Sequence, residues 1–312
     1  MLGGAAPKNY LAFGDPEVPG TVCFIAKRPA HWGPRECVTE EIISRIGRLL
    51  PLRVAESRLV RLPPRPGENP LDDPDIRFLS RNFLRPGEEL VHGQQLYAEF
   101  LGVTQPQFVE MFNLHDREEE AKLYTVESAE DVLCWRAQSK ECGERLVAAF
   151  ARMLAFDALV GSPDRHAENW GIIQDPKHPD GAIRFAPVYD TARGLLGTHS
   201  EDKLMRSAGA KRSSNRRDFL EKYALGSKPV FTCQKRAGER LSHFDLIEHI
   251  VRDERLARSM AGPVRHVISR FDRDAVARDL RDQVGRIITP LRMELILELL
   301  EHRVAVLQQV VR

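Results

Sequence analysis

The strongest constraint on the fold is a pair of short apolar runs near the middle of the chain, N-W-G-I-I-Q (169–174) and A-I-R-F-A-P-V-Y-D (182–190). Between them lies the turn-rich D-P-K-H-P-D-G (175–181), so the spacing predicts a β-hairpin with a longer loop. If 170–174 pairs antiparallel with 183–189, Asn169 and Asp190 return to the same end of the ribbon. The run L-V-A-A-F-A-R-M-L-A-F-D-A-L-V (146–160) reads as the end of a long buried helix beginning near Cys142. It feeds the loop G-S-P-D-R-H-A-E-N (161–169), which brings Asp164 to the same mouth.

One amide oxygen and two carboxylates are hard ligands of the kind magnesium takes, with water and phosphate completing its shell. Taken alone, Asp164 and Asn169 are ordinary turn formers. The return of Asp190 to their end favours chemistry, and phosphoryl transfer is the chemistry that combines such oxygens with a lysine and a proton-accepting Asp. Lys27 closes the strand-like V-C-F-I-A-K (22–27), directly ahead of a helix. In that helix Ile42, Ile43, Ile46, Leu49 and Leu50 fall at helical spacing, Glu36, Glu40 and Glu41 gather in the first turns, and Pro51 marks the end.

Two further strands are expected in L-R-V-A-E-S-R-L-V-R-L (52–62) and D-I-R-F-L-S-R-N-F-L (75–84), separated by a Pro-rich connector. R-P-G-E-E-L-V-H-G (85–93) reads as a linker, because the pattern beyond it is mainly helical. This places a boundary near residue 86, with a small mixed lobe over 1–86 and a helical lobe over 87–312. Thr289 and Pro290 form a cap and first-turn pair for the last helix.

D-A-L-V-G-S-P-D-R-H-A-E-N-W-G-I-I with F-A-P-V-Y-D-T-A resembles the catalytic and metal-binding motifs of the HipA-like serine/threonine kinases, whose fold is similar to that of protein kinases and phosphatidylinositol kinases. The resemblance extends from about residue 20 to the C-terminal helix. It implies an α+β, bilobed protein-kinase-like fold that binds ATP and Mg2+ between a small N-lobe and a mainly helical C-lobe. Asp164 is then the catalytic base, Asn169 and Asp190 (hairpin 169–190) the metal ligands, and Lys27 the phosphate-gripping lysine. Glu40 is its salt-bridge partner, with Glu41 the alternative one residue away, and His166 supports the catalytic loop 161–170. The expected acceptor is a protein Ser or Thr, and a separate regulatory protein is an expected partner. A lipid or small-molecule kinase and a nucleotide-binding pseudokinase are the competing readings.

The sequence departs from the family in two ways. The subdomain that precedes the kinase core in full-length members is expected to be missing ahead of Lys27. The nucleotide-covering loop should lie within Y-L-A-F-G-D-P-E-V-P-G (10–20), yet no G-x-G-x-x-G stands there. The basic stretch 203–217 is expected to be a solvated surface loop. If it acts, Lys211, Arg212, Arg216 and Arg217 would hold an acidic partner or a phosphorylated Ser213 or Ser214.

Composition narrows the partners. Lys plus Arg (46) balance Asp plus Glu (45), so a net charge of +1 offers no field for autonomous nucleic-acid binding. Charges interrupt every apolar run before membrane-spanning length. Five cysteines without C-x-x-C spacing fit a reduced, cytoplasmic protein.

Overall fold

The fold is a mixed α/β arrangement in which a small antiparallel sheet and one helix precede a mainly helical remainder. The computed structural model describes residues 8–14, 21–29, 33–61, 76–112, 122–177, 182–208 and 214–312. Strands β1 (Lys8–Phe13) and β2 (Val22–Lys27) pair antiparallel, with Lys8 directly opposite Lys27. After β2 comes helix α1 (Pro34–Arg48), then β3 (Ser57–Arg61) and β4 (Ile76–Arg81), giving the order β1-β2-β4-β3. Alternation splits the sheet's side chains between two faces. Phe24, Ala26 and Leu79 pack on one, while Phe78 and Ile76 pack against Cys37 of α1 on the other. Ile42, Ile43 and Ile46 of α1 point into the main core, so this helix is apolar on two sides and joins sheet to helices.

The segment 85–93, read above as a linker, instead carries strand β5 (Glu89–His92). It pairs with β6 (Gly171–Gln174), which pairs in turn with β7 (Arg184–Phe185). The alternation E-L-V-H is too short and too polar to announce a strand without its partner. The hairpin forms as expected, with Ile172 opposite Phe185 and Ala186 N donating to Gly171 O at 2.9 Å. It is shorter than 183–189 suggested, because the chain leaves it to meet the residues after α1. Val188 N donates to Arg53 O at 2.8 Å and Ala55 N donates to Val188 O at 2.9 Å, forming a parallel bridge between Val54 and Val188.

Around the hairpin pack α2 (Gly93–Phe100), α3 (Gln105–Phe112), α4 (Val126–Arg136) and the long α5 (Lys140–Val160). Trp170 is fully buried there, with its ring centroid 5.3 Å from that of Phe150, which lies 5.1 Å from that of Phe231. The rest comprises α6 (Glu201–Ala208), α7 (Ser214–Gly226), α8 (His243–Arg252), α9 (Gly262–Ser269), α10 (Arg273–Val284) and α11 (Pro290–Val310). Thr289 caps α11 as predicted, accepting from Arg292 N at 3.1 Å. The basic stretch is not simply a surface loop. It contains most of α6 and the start of α7, and Arg216 is buried in ion pairs with Glu298 (2.7 Å) and Glu294 (3.3 Å), which takes it out of any role as a phosphoserine holder. Lys211, Arg212 and Ser213 lie outside the described residues, as does the side chain of Ser214. Among the described residues no helix is long and apolar enough to cross a membrane, and all five cysteines are free thiols.

Gly171 sits where β5 and β6 approach most closely. A Cβ there would lie 2.2 Å from Val91 O, a backbone atom that cannot step aside. Gly171→Ala is therefore expected to cost about 1–3 kcal/mol, read as a lower urea midpoint with unchanged slope. A midpoint equal to that of the wild type would contradict this packing.

Candidate active site

The site is built on the C-terminal end of α5. That helix stops at Gly161, whose φ of 66° suits a residue without Cβ, and the amides of Gly161 and Ser162 both return to Asp157 O. Carbonyls left over at such an end need donors. Arg303 Nε donates to Ala158 O at 2.7 Å, and Ser227 Oγ donates to Gly161 O at 2.7 Å. The buried His243 ring is hydrogen-bonded to the Ser162 backbone. Residues remote in sequence thus fix the stretch that delivers Asp164.

Arg165 then turns inward. Its guanidinium donates through Nε and Nη2 to the two carboxylate oxygens of Asp157, both at 2.8 Å, with both side chains buried. Nη1 donates to Asn169 O at 2.7 Å and to Tyr189 O at 2.8 Å. One side chain therefore ties the helix end, the start of the hairpin and its return strand together. It holds Asn169 beside the residue preceding Asp190. Burial pushes the Asp157 carboxyl up, and Arg165 pulls against it. Tyr189 Oη adds a bond to Glu168 O at 3.0 Å.

Within the loop, Asn169 Nδ2 donates to Asp164 O at 2.8 Å and to His166 Nε2 at 3.0 Å. His166 thus lies against the Asn169 amide. The Asp164 carboxylate receives Arg193 Nη1 at 3.1 Å.

Across the site, Lys27 Nζ lies 2.6 Å from Glu40 Oε1 and 3.1 Å from Asp190 Oδ1. The choice between Glu40 and Glu41 is decided by geometry, because Glu41 turns away to Arg45, Arg48 and Ser57. Burial alone would lower the Lys27 ammonium, but the Glu40 and Asp190 carboxylates outweigh it and hold Lys27 above its ordinary range. Burial pushes Glu40 up to about 7 against the pull of Lys27. Asp190 is held below the usual carboxylate range, since Lys27 and Lys8 outweigh its burial. Lys8 Nζ approaches Asp190 Oδ2 at 3.9 Å.

The structure thus groups Lys27, Glu40 and Asp190 on one side and Asp164, His166 and Asn169 in one loop, with Arg165 linking the two sets. Of the segment 10–20, within which the nucleotide-covering loop is expected, residues 10–13 belong to β1 and 15–20 lie outside the described residues. Sequence reasoning missed the Asp157–Arg165 pair. Its signal was present, since an Asp within the apolar run M-L-A-F-D-A-L-V (153–160) must find a partner. Lys8 and Arg193 carried no such signal.

The donor set fits a hard divalent cation. Among the described residues no three His, Cys, Asp or Glu side chains form a cage. Magnesium needs none, taking one or two carboxylates plus phosphate and water. With Nδ2 committed to Asp164 and His166, the Asn169 amide has its oxygen as the remaining polar atom, and the Asp190 side chain stays 35% exposed.

The sequence matches the family described as the HipA-like C-terminal domain over residues 1–253. The chain belongs to that family. No curated protein matches it in sequence. Its fold is similar to that of the Helicobacter pylori proinflammatory kinase CtkA, with a TM-score of 0.71 at 15% identity, covering 99% of this chain and 91% of that one. It is also similar to HipA of Shewanella oneidensis MR-1, solved with HipB and operator DNA, with a TM-score of 0.53 at 11% identity. That match covers 99% of this chain and 65% of the HipA chain. The α+β kinase-like architecture inferred from the HipA-like motifs is therefore the observed one.

Two outcomes follow from this geometry. Arg165→Met strands a buried carboxylate and is expected to cost about 3–5 kcal/mol, while Asp157→Leu combined with Arg165→Met recovers part of that loss. A double-mutant cycle in urea checks it, and additive losses would contradict the pairing. Burial, with Lys203 and Arg292 nearby, lowers His199 from 6.5 to about 4, and burial beside Arg303 holds His243 well below 6.5. A depressed histidine binds fewer protons folded than unfolded, so the stability it contributes is full above pH 6.5 and is lost as pH falls toward 4. The urea midpoint should fall across that window, less steeply in His199→Gln; parallel curves would refute the assignment.

Proposed function

We propose that this chain is a HipA-like kinase that transfers the γ-phosphoryl group of ATP to a hydroxyl, that of a protein Ser or Thr. The observation that carries the reading is the meeting of Lys27 with both Glu40 (2.6 Å) and Asp190 (3.1 Å), next to a loop that presents Asp164 and Asn169. Family membership supports the reaction class. The division of labour runs between a lobe over 1–86, which supplies Lys27 and Glu40, and a lobe over 87–312, which supplies the rest.

In this mechanism Asp164 accepts the proton of the attacking hydroxyl. Lys27, oriented by Glu40, binds phosphate oxygens. Asn169 and Asp190 are the residues that hold magnesium, which neutralises phosphate charge when bound. Asp190 is the more exposed of the two carboxylates on Lys27, at 35% against 5% for Glu40, so it is the one that can exchange its lysine for a cation. His166 keeps the Asn169 amide in its orientation. A cytoplasmic location and a separate regulatory protein partner belong to the same proposal, the latter by likeness to the HipA chain solved with HipB.

Asp164→Asn and Asp190→Asn are each expected to lower transfer from ATP by about 100-fold or more, with folding checked by circular dichroism. Retained transfer in both variants would sink the proposal. Stabilisation of the wild type by ATP and magnesium without turnover would instead identify a nucleotide-binding pseudokinase. Transfer to phosphoinositides or sugars but to no protein would replace the acceptor class.

A further inference from the structure

Phosphoryl transfer is accelerated by preorganised cations aimed at the charge on the transferring group. On the nucleotide side stands Lys27, held by Glu40 and Asp190. On the acceptor side, the loop's own cation is committed elsewhere. Arg165 is buried and points back to Asp157, Asn169 O and Tyr189 O. The His166 ring faces the Asn169 amide. The cation that reaches Asp164 comes from outside the loop. It is Arg193, whose Nη1 lies 3.1 Å from Asp164 Oδ1.

The backbone that carries Arg193 is unusual. Among the described residues, the non-glycine positions with positive φ are Asp190 (54°), Leu195 (46°) and Leu196 (63°), all within seven residues around Arg193. Such conformations persist only where the surroundings enforce them, and they concentrate at functional sites. Here Leu195 N donates to Val160 O at 3.1 Å, Leu196 N to Tyr223 Oη at 2.8 Å, and Arg292 Nη1 to Leu196 O at 3.2 Å. A Cβ on Gly194 would lie 2.8 Å from Val160 O, so the chain beside Arg193 is pressed against the end of α5. The guanidinium is thus presented from a clamped base.

We propose that Arg193 is a further catalytic residue, which holds Asp164 Oδ1 and binds the transferring phosphoryl group. This rests on the kinase reading above. In the step, the acceptor oxygen forms a bond to the γ-phosphorus and its proton passes to Asp164 Oδ2, the oxygen that Arg193 does not hold. The bond from the γ-phosphorus to the bridging oxygen breaks, and its electron pair leaves with the β-phosphate as ADP. Arg193 forms and breaks no covalent bond. Its planar, multi-donor guanidinium spans a carboxylate and a phosphoryl oxygen at once, which a single ammonium does less well.

The test compares wild type with Arg193→Ala, Arg193→Lys and Arg193→Gln in transfer of radiolabelled phosphate from ATP to casein and to the chain itself. Arg193→Ala is expected to lower kcat by about 100-fold, with KM for ATP within about threefold of wild type and an unchanged thermal midpoint. Added guanidinium chloride at low millimolar concentration should restore about a tenth of the lost rate, a rescue that loss of a purely structural contact would not show. If Arg193→Ala does not fold, Arg193→Lys retaining more activity than Arg193→Gln carries the same test. Wild-type transfer with Arg193→Ala equal to it or faster would overturn the role of Arg193 alone, since the contact would then restrain Asp164. A wild type that binds ATP but transfers nothing would overturn the kinase reading and this proposal together.

Discussion

The candidate site depends first on a buried ion pair set behind it, between Asp157 and Arg165. Asp157 lies in the last turn of a helix that is buried from Met153 onward, and an uncompensated charge there would cost several kcal/mol. Arg165 meets it in fork geometry and then spends its remaining nitrogen on two carbonyls, Asn169 O and Tyr189 O. Those carbonyls belong to the two chain segments that carry Asn169 and Asp190. The desolvation penalty thus enforces a geometric condition. No arrangement that separates the hairpin's ends satisfies the guanidinium.

Opposite this anchor, the charges at the mouth are balanced rather than saturated. Lys27 serves two carboxylates, one buried and one partly exposed. The buried one lies nearer, at 2.6 Å against 3.1 Å for Asp190. The same logic separates Glu40 from Glu41. One residue of helical rotation sends Glu41 to Arg45, Arg48 and Ser57, where it secures α1 to β3. Adjacent glutamates thus divide between Lys27 and the contact of α1 with β3.

Much of this was legible in the sequence, for physical reasons that can be named. The hairpin announced itself through turn chemistry between two apolar runs, and from it followed the proximity of Asn169 and Asp190. Strand β2 followed from β-branched and aromatic residues after a Gly/Pro-rich turn, and helix α1 from helical spacing. Other features depended on partners that local pattern does not reveal. Glu89–His92 is a strand because Gly171–Gln174 lies beside it, and Val188 leaves its hairpin because Arg53 and Ala55 offer a second set of backbone groups. Arg216 looked like a surface charge, since its partners Glu294 and Glu298 lie far along the chain. Asp157 is the instructive case, because its placement broke the apolar pattern and that break was itself the clue.

The bridge between Val54 and Val188 has a mechanical consequence. It joins the chain just after α1 to the chain two residues ahead of Asp190, through two backbone hydrogen bonds at 2.8 and 2.9 Å. Translation of the small sheet along the helical body would break both bonds. The bridge thus pins the chain leaving α1 to the chain leading to Asp190, and with Ile42, Ile43 and Ile46 of α1 seated in the main core it sets the span between Lys27 and Asp190.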